Sequence, residues 1–183
     1  MKPTLLDSKY ILENKFMKIR QDRVQFSHGD SKDFFVLEGP AWVCIVAFTP
    51  QNEIIFTRQY RPTLRQTVLE LPAGKLDAAD PSPQSAALRE FEEEVGYTLE
   101  KIEFLGKVST IPGRANVDGY VYMGNLGIKQ SQKLEDAEES LVVERLTIPQ
   151  IRDAIRNGEL FSAPILAALA LAHAVHPERF TLK

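Results

Sequence analysis

The sequence predicts an α+β fold, or the layered α/β/α arrangement close to it, on three observations. Short runs rich in β-branched and aromatic residues recur along the chain, separated by Pro, Gly and Asn turn signals. Stretches with helical start and stop residues fall between these runs. No internal repeat, heptad or low-complexity tract competes with a mixed layered core.

The strand expectations begin in the first 40 residues. Phe16–Arg20 and Arg23–Phe26 partly alternate apolar and polar side chains, residues 27–32 make a turn, and Asp33–Glu38 resumes as a strand that Gly39-Pro40 ends. Region 1–40 is therefore expected to be a small antiparallel sheet attached to a main domain over 41–183. Trp42–Phe48 and Ile54–Arg58 read as a hairpin, and Val68–Leu71 as a short strand stopped by Pro72. A helix is expected from Ser85 to Val95, ended by Gly96. Strands follow at Ile102–Val108, Gly119–Met123 and Leu141–Leu146, then helices at Pro149–Asn157 and Pro164–Val175. The last helix is apolar and reads as a packing helix, with His173 structural.

Composition narrows the function classes. The 183 residues are 44% hydrophobic and 26% charged, as in an ordinary globular protein. Net charge is −3, without the basic surplus of a nucleic-acid binder. Cys44 sits in an apolar run and reads as buried; it has no partner for a disulfide within the chain. His28, His173 and His176 lack zinc-ligand spacing. No apolar stretch is long enough for a membrane span, and the expected location is cytoplasmic.

The chemistry concentrates in Arg89-Glu-Phe-Glu-Glu-Glu-Val-Gly-Tyr97. On a helix, residues three and four apart share a face, so Glu90, Glu93 and Glu94 cluster while Leu88, Phe91 and Val95 point to a core. Clustered carboxylates repel one another, but they suit a hard divalent cation that takes oxygen ligands. Arg89 lies four residues before Glu93 and can hold one carboxylate. Upstream, Gly74 in Leu71-Pro-Ala-Gly lets the backbone turn and pass close to a ligand.

These residues resemble the signature of the Nudix hydrolases: a glycine, five residues, a glutamate, seven residues, then Arg-Glu-apolar-any-Glu-Glu-any-Gly-apolar. Gly74 matches the opening glycine, and residues 89–97 match the second half without a gap. Asp80 replaces the first glutamate, and one extra residue precedes Arg89. The resemblance extends along nearly the whole chain to the ADP-ribose pyrophosphatase branch, which includes GDP-mannose hydrolases. It implies the Nudix α/β/α sandwich with a mixed sheet. It further implies a homodimer exchanging N-terminal strands, and Mg²⁺, or Mn²⁺, held by Glu90, Glu93, Glu94 and the carbonyl of Ala73.

By the same resemblance, Gly74, Asp80, Arg89 and Gly96 support the motif. Arg61 in Arg58-Gln-Tyr-Arg binds substrate, with Arg58 beside it, and Pro112, 15 residues after Tyr97, marks the branch together with Arg114. A glutamate from Glu135-Asp-Ala-Glu-Glu139 acts as base, Glu139 before Glu138. The implied reaction is hydrolysis of a nucleoside diphosphate sugar, ADP-ribose first, to AMP and ribose 5-phosphate. In it Glu93 and Glu94 serve the catalytic step with Glu139. GDP-mannose, a broad nucleotide-sugar range, or a non-catalytic nucleotide-binding module are the alternatives. Phe16, Phe26, Phe34 and Phe35 are the candidates for stacking the base.

Overall fold

A computed structural model describes residues 2–15, 17–134 and 140–181. In chain order the strands are β1 (Thr4–Glu13), β2 (Lys18–Gln25), β3 (Ser31–Glu38), β4 (Trp42–Phe48), β5 (Ile54–Arg61), β6 (Gln66–Glu70) and β7 (Ala73–Lys75). Helix α1 (Pro83–Val95) comes next, then β8 (Tyr97–Ser109), β9 (Ala115–Asn116), β10 (Asp118–Lys129) and β11 (Val142–Leu146). Helices α2 (Ile148–Arg156) and α3 (Ala163–Val175) and a 3₁₀ turn at Pro177–Phe180 follow. The chain divides into two compact units, Met1–Ala41 with Ser109–Asp118, and Trp42–Val108 with Gly119–Lys183.

The first unit is a four-stranded sheet in the order β1-β2-β3-β9. β1 and β2 pair antiparallel with register shifts near Leu5 and Tyr10, and β2 and β3 pair without a break from Lys18↔Glu38 to Gln25↔Ser31. Arg20 ties the sheet together by pairing with both Asp22 and Glu38. Two expectations change here. β1 was not anticipated, because Leu5, Leu6, Tyr10, Ile11 and Leu12 keep no simple alternation and every residue of the strand is exposed. The two pieces expected around residue 20 are parts of one strand, β2, held straight by β1 and β3 on its two edges.

The second unit carries the larger sheet, ordered β11-β5-β4-β10-β8, with β6 added to β5 and β7 to β4. Val43–Phe48 of β4 are fully buried, and β4 runs parallel to β10 and antiparallel to β5. A strand covered on both faces reads as an unbroken apolar run, as this one does. On one face Val43, Ile45, Ala47 and Ile55 pack with Ala87, Phe91 and Val95 of α1. On the other, Cys44, Val46, Phe48 and Phe56 pack with Ile151 of α2 and Ile165, Ala168 and Leu169 of α3. The unit is thus three-layered, helix, mixed sheet, helix. Each large side chain closed into it, such as Phe91, contributes about 1.5–3 kcal/mol. No described helix is long and apolar enough to cross a membrane.

β4 and β5 pair at Phe48↔Ile54 and then diverge. β7 takes the edge of β4, through Trp42↔Lys75, Val43↔Gly74 and Cys44↔Ala73. β6 takes the edge of β5, from Thr57↔Glu70 to Arg61↔Gln66. The fork between these strands holds a pocket.

Candidate active site

Helix α1 is fixed at both ends. The Ser82 Oγ accepts from the Ser85 N–H at 3.1 Å, and Pro83 opens the helix with a φ already suited to it. Gly96 ends the helix at φ +73°, a left-handed conformation that costs any residue with a Cβ. The carbonyls that a helix C-terminus leaves unpaired are met from residues 130–133. The Lys133 N–H donates to the Glu93 carbonyl at 3.0 Å, and the Gln132 amide to the Glu94 carbonyl at 2.6 Å.

The three motif glutamates differ in burial. Phe91 and Val95 are buried, Leu88 is 37% exposed, and Glu94 is 3% exposed. A step of 100° per residue puts position 94 at the boundary between the Glu90–Glu93 stripe and the Phe91–Val95 stripe, so Glu94 enters the packed layer. There its Oε2 accepts from the Ala73 N–H at 3.1 Å. Glu90 and Glu93 do converge, since Nη1 of Arg89 lies 3.0 Å from one carboxylate and 2.9 Å from the other. The Glu90 carboxyl also rests against Gly74, where an added Cβ would collide with it.

Arg89 is the hub. Nε and Nη2 donate to the two oxygens of Asp80 at 3.1 and 2.8 Å, and Nη2 donates to the Lys75 carbonyl at 3.1 Å. The fork geometry of a guanidinium matches a carboxylate bidentately. Asp80 also accepts from the Asp77 N–H at 2.9 Å. The Arg89 guanidinium, followed by this backbone contact, holds the Asp80 carboxyl below its ordinary pKa, and Asp80 holds Arg89 above its own.

A pocket of about 500 Å³ opens over these groups, lined among others by Trp42, Tyr60, Arg61, Lys75, Glu90 and Glu93, with Ala73, Gly74 and Arg89. Arg61 pairs with Glu70 at 2.8 Å and is part-exposed to the pocket. Arg58 is not brought to it. The two arginines are three positions apart, an odd step along a strand, so they project from opposite faces of β5. Arg58 is committed to Glu144, at 2.6 and 3.1 Å, and to Glu159, at 2.6 Å.

Pro112 and Arg114 lie in the first unit, in a turn where the Arg114 and Ala115 N–H groups both donate to the Ile111 carbonyl at 2.9 Å. Phe34 and Phe35 are exposed there, 41% and 55%, and Phe26 is half-buried, so none of the three is a core residue. Phe26 stacks on His28 instead. Phe16, Glu138 and Glu139 lie outside the described residues. Sequence reasoning missed Trp42 and Lys75 as pocket residues. They meet only through the β4–β7 register, which no local pattern announces.

The donor chemistry suits a hard divalent cation: three carboxylates and a backbone carbonyl, all oxygen. Among the described residues no three such side chains are gathered tightly enough to hold an ion as they stand. Glu90 and Glu93 already focus on a single cationic nitrogen, and Glu94 is engaged by Ala73.

The NUDIX domain family matches residues 38–169, most of the chain. The chain belongs to the Nudix family. Hydrolases of this family generally use divalent metal ions. Among curated proteins, this Nudix chain is 28% identical to an ADP-ribose pyrophosphatase of Bacillus subtilis, over 87% of its own length and 86% of the relative's. It is equally 28% identical to one of Mycobacterium tuberculosis, over 93% and 83%. A methanol dehydrogenase activator of Bacillus methanolicus is also 28% identical, over 90% and 89%. A solved structure described as an ADP compounds hydrolase superposes with a TM-score of 0.85, covering 98% of this chain and 96% of that one at 22% identity, a likeness of fold.

Proposed function

We propose that this Nudix chain is a pyrophosphohydrolase that cleaves the diphosphate of ADP-ribose with Mg²⁺, releasing AMP and ribose 5-phosphate. The observation that carries the reading is one pocket joining two focused carboxylates, Glu90 and Glu93, to the cations Arg61 and Lys75. The two ADP-ribose pyrophosphatases that it resembles over more than four-fifths of their length support the substrate.

Glu90, Glu93, Glu94 and the Ala73 carbonyl would hold the cation. Bound there, it offsets the charge of the diphosphate and of the transition state. Gly74 keeps the backbone low enough for Glu90 to reach this place. Arg61 releases Glu70 and takes phosphate oxygens as a fork. Asp80 and Lys75 keep Arg89 in position, and Arg89 aligns Glu90 and Glu93. Glu139 is proposed as the proton acceptor from water, and Pro112 and Arg114 as further substrate contacts.

The reading includes a cytoplasmic homodimer. Leu5, Leu6, Tyr10, Ile11 and Leu12 on β1 form an apolar surface that a second subunit would cover. A panel of ADP-ribose, GDP-mannose and an NAD-type dinucleotide, with Mg²⁺ and an added phosphomonoesterase that frees phosphate from the products for detection, tests the substrate. ADP-ribose is expected to give the highest kcat/KM. Absence of turnover with every nucleoside diphosphate sugar would overturn the reading.

A further inference from the structure

A second pocket, of about 690 Å³, lies at the other end of β4. Trp42 at the start of that strand lines the pocket of the glutamates, and Phe48 at its end lines this one. At ~3.3 Å per strand residue the two stand roughly 20 Å apart. They share no lining residue.

The second pocket carries two cations, Lys101 and Arg179, and two amides, Asn52 and Asn125. Arg179 is placed by packing. Its guanidinium lies over the Phe48 ring, 4.1 Å from the centroid, and Asn52 Nδ2 donates to its carbonyl at 2.8 Å. Its Nη2 reaches Asn125 Oδ1 only at 3.5 Å. Its Nε is buried with no hydrogen-bond partner, and no carboxylate among the described residues pairs with it. A guanidinium has five donors, and leaving them unmet away from water is costly, so this one is short of an acceptor. The two carboxylates at the pocket are engaged elsewhere. Glu178 is turned to His176, 3.2 Å from Nδ1, and Glu100 lies over Gly127 of β10, where any Cβ would meet it. Lys101 adds a second sign. Its φ is +50° within β8, a left-handed conformation unusual for a lysine, and such strain gathers where ligands are held.

We propose that this pocket is a second binding site, for a small phosphate-bearing molecule. Arg179 takes the phosphate as a fork, Lys101 faces it as a point charge, and Asn125 Nδ2 is left to donate beside them. The volume exceeds that of phosphate alone and leaves room for a sugar or nucleoside attached to it. The site lies apart from the proposed reaction and does not depend on it.

NMR titration of the full-length protein with inorganic phosphate, ribose 5-phosphate and AMP tests the site. Saturable amide shifts are expected at Asn52, Lys101, Asn125 and Arg179 with all three. Tighter binding of ribose 5-phosphate or AMP than of phosphate would show that the sugar or the nucleoside is held too, and equal binding that the phosphate alone is. Lys101→Gln, a change at an exposed side chain, is expected to weaken binding about tenfold, and Arg179→Lys to do so by a similar factor. Thermal melts check that both variants fold. Shifts confined to the pocket of Glu90 and Glu93 would overturn the proposal. So would shifts here that neither substitution weakens, or no saturation with any of the three up to roughly 10 mM. None of these results bears on whether the chain hydrolyses ADP-ribose.

Discussion

A single side chain, Arg89, shows how charge is managed at this site. Its guanidinium meets Asp80 bidentately and spans Glu90 and Glu93, so three carboxylates are held around one positive charge. Glutamines at Glu93 or Glu94 keep the shape and remove the charge. Each is expected to lower kcat by about a hundredfold or more, as steady-state kinetics would show, since metal charge stabilisation is worth several kcal/mol. Gly74→Ala makes a finer distinction. The added methyl first strikes the end of the Glu90 side chain, which can swing aside. The melting temperature should move little while turnover falls at least about tenfold, as expected for a misplaced ligand. The motif residues were legible in the sequence because they are close along one helix. Glu94's burial was less so, as it depends on the angle at which α1 lies on β4. Arg58 was misplaced for a related reason: strand parity sends it to Glu144 and Glu159.

Elements were legible where their signals are local. The starts of α1, α2 and α3 and the stop of α1 stand within a residue or two of Ser82, Thr147, Pro164 and Gly96. Strand lengths were not, because pairing extends them. β8 and β10 run well past the segments expected around Ile102 and Gly119, as neighbours in one sheet. Replacing Ser82 by alanine removes the α1 cap and is expected to cost about 1 kcal/mol in denaturant unfolding, with the slope of the transition unchanged.

A pH-sensitive clip lies at the chain's end. His176 Nε2 stands 2.8 Å from Glu103 on β8, and Nδ1 3.2 Å from Glu178. Glu103 first, then Glu178, raises the His176 pKa above 6.5. A raised folded-state pKa contributes stability in full below the unfolded value and loses it as pH rises through the folded value. The melting-temperature advantage of wild type over His176→Gln should therefore be largest near about pH 6 and shrink as pH rises past the ordinary histidine value.

At the scale of the whole molecule, the three-layered unit follows from one strand. β4 is apolar throughout, so it must be covered on both faces, and the amphipathic helices supply the covers. That much was readable from composition and periodicity. The segment Ser109–Asp118, which lies with the first unit, was not. It is joined there by β9 pairing with β3 at Leu37↔Ala115, a contact between residues far apart in the chain. If the apolar β1 surface is a subunit contact, light scattering should give about twice the 20.6 kDa chain mass. Glutamate at Leu6 and Ile11 together should return it to the monomer value.

Turnover by this chain is proposed to depend on Glu90, Glu93 and Glu94 acting together through a divalent ion. The most direct measurement is ADP-ribose turnover in excess chelator, followed by restoration with Mg²⁺. Loss of all turnover, recovered on adding the ion and not recovered in Glu93→Gln, is the expected result. Undiminished hydrolysis with the chelator present would contradict it.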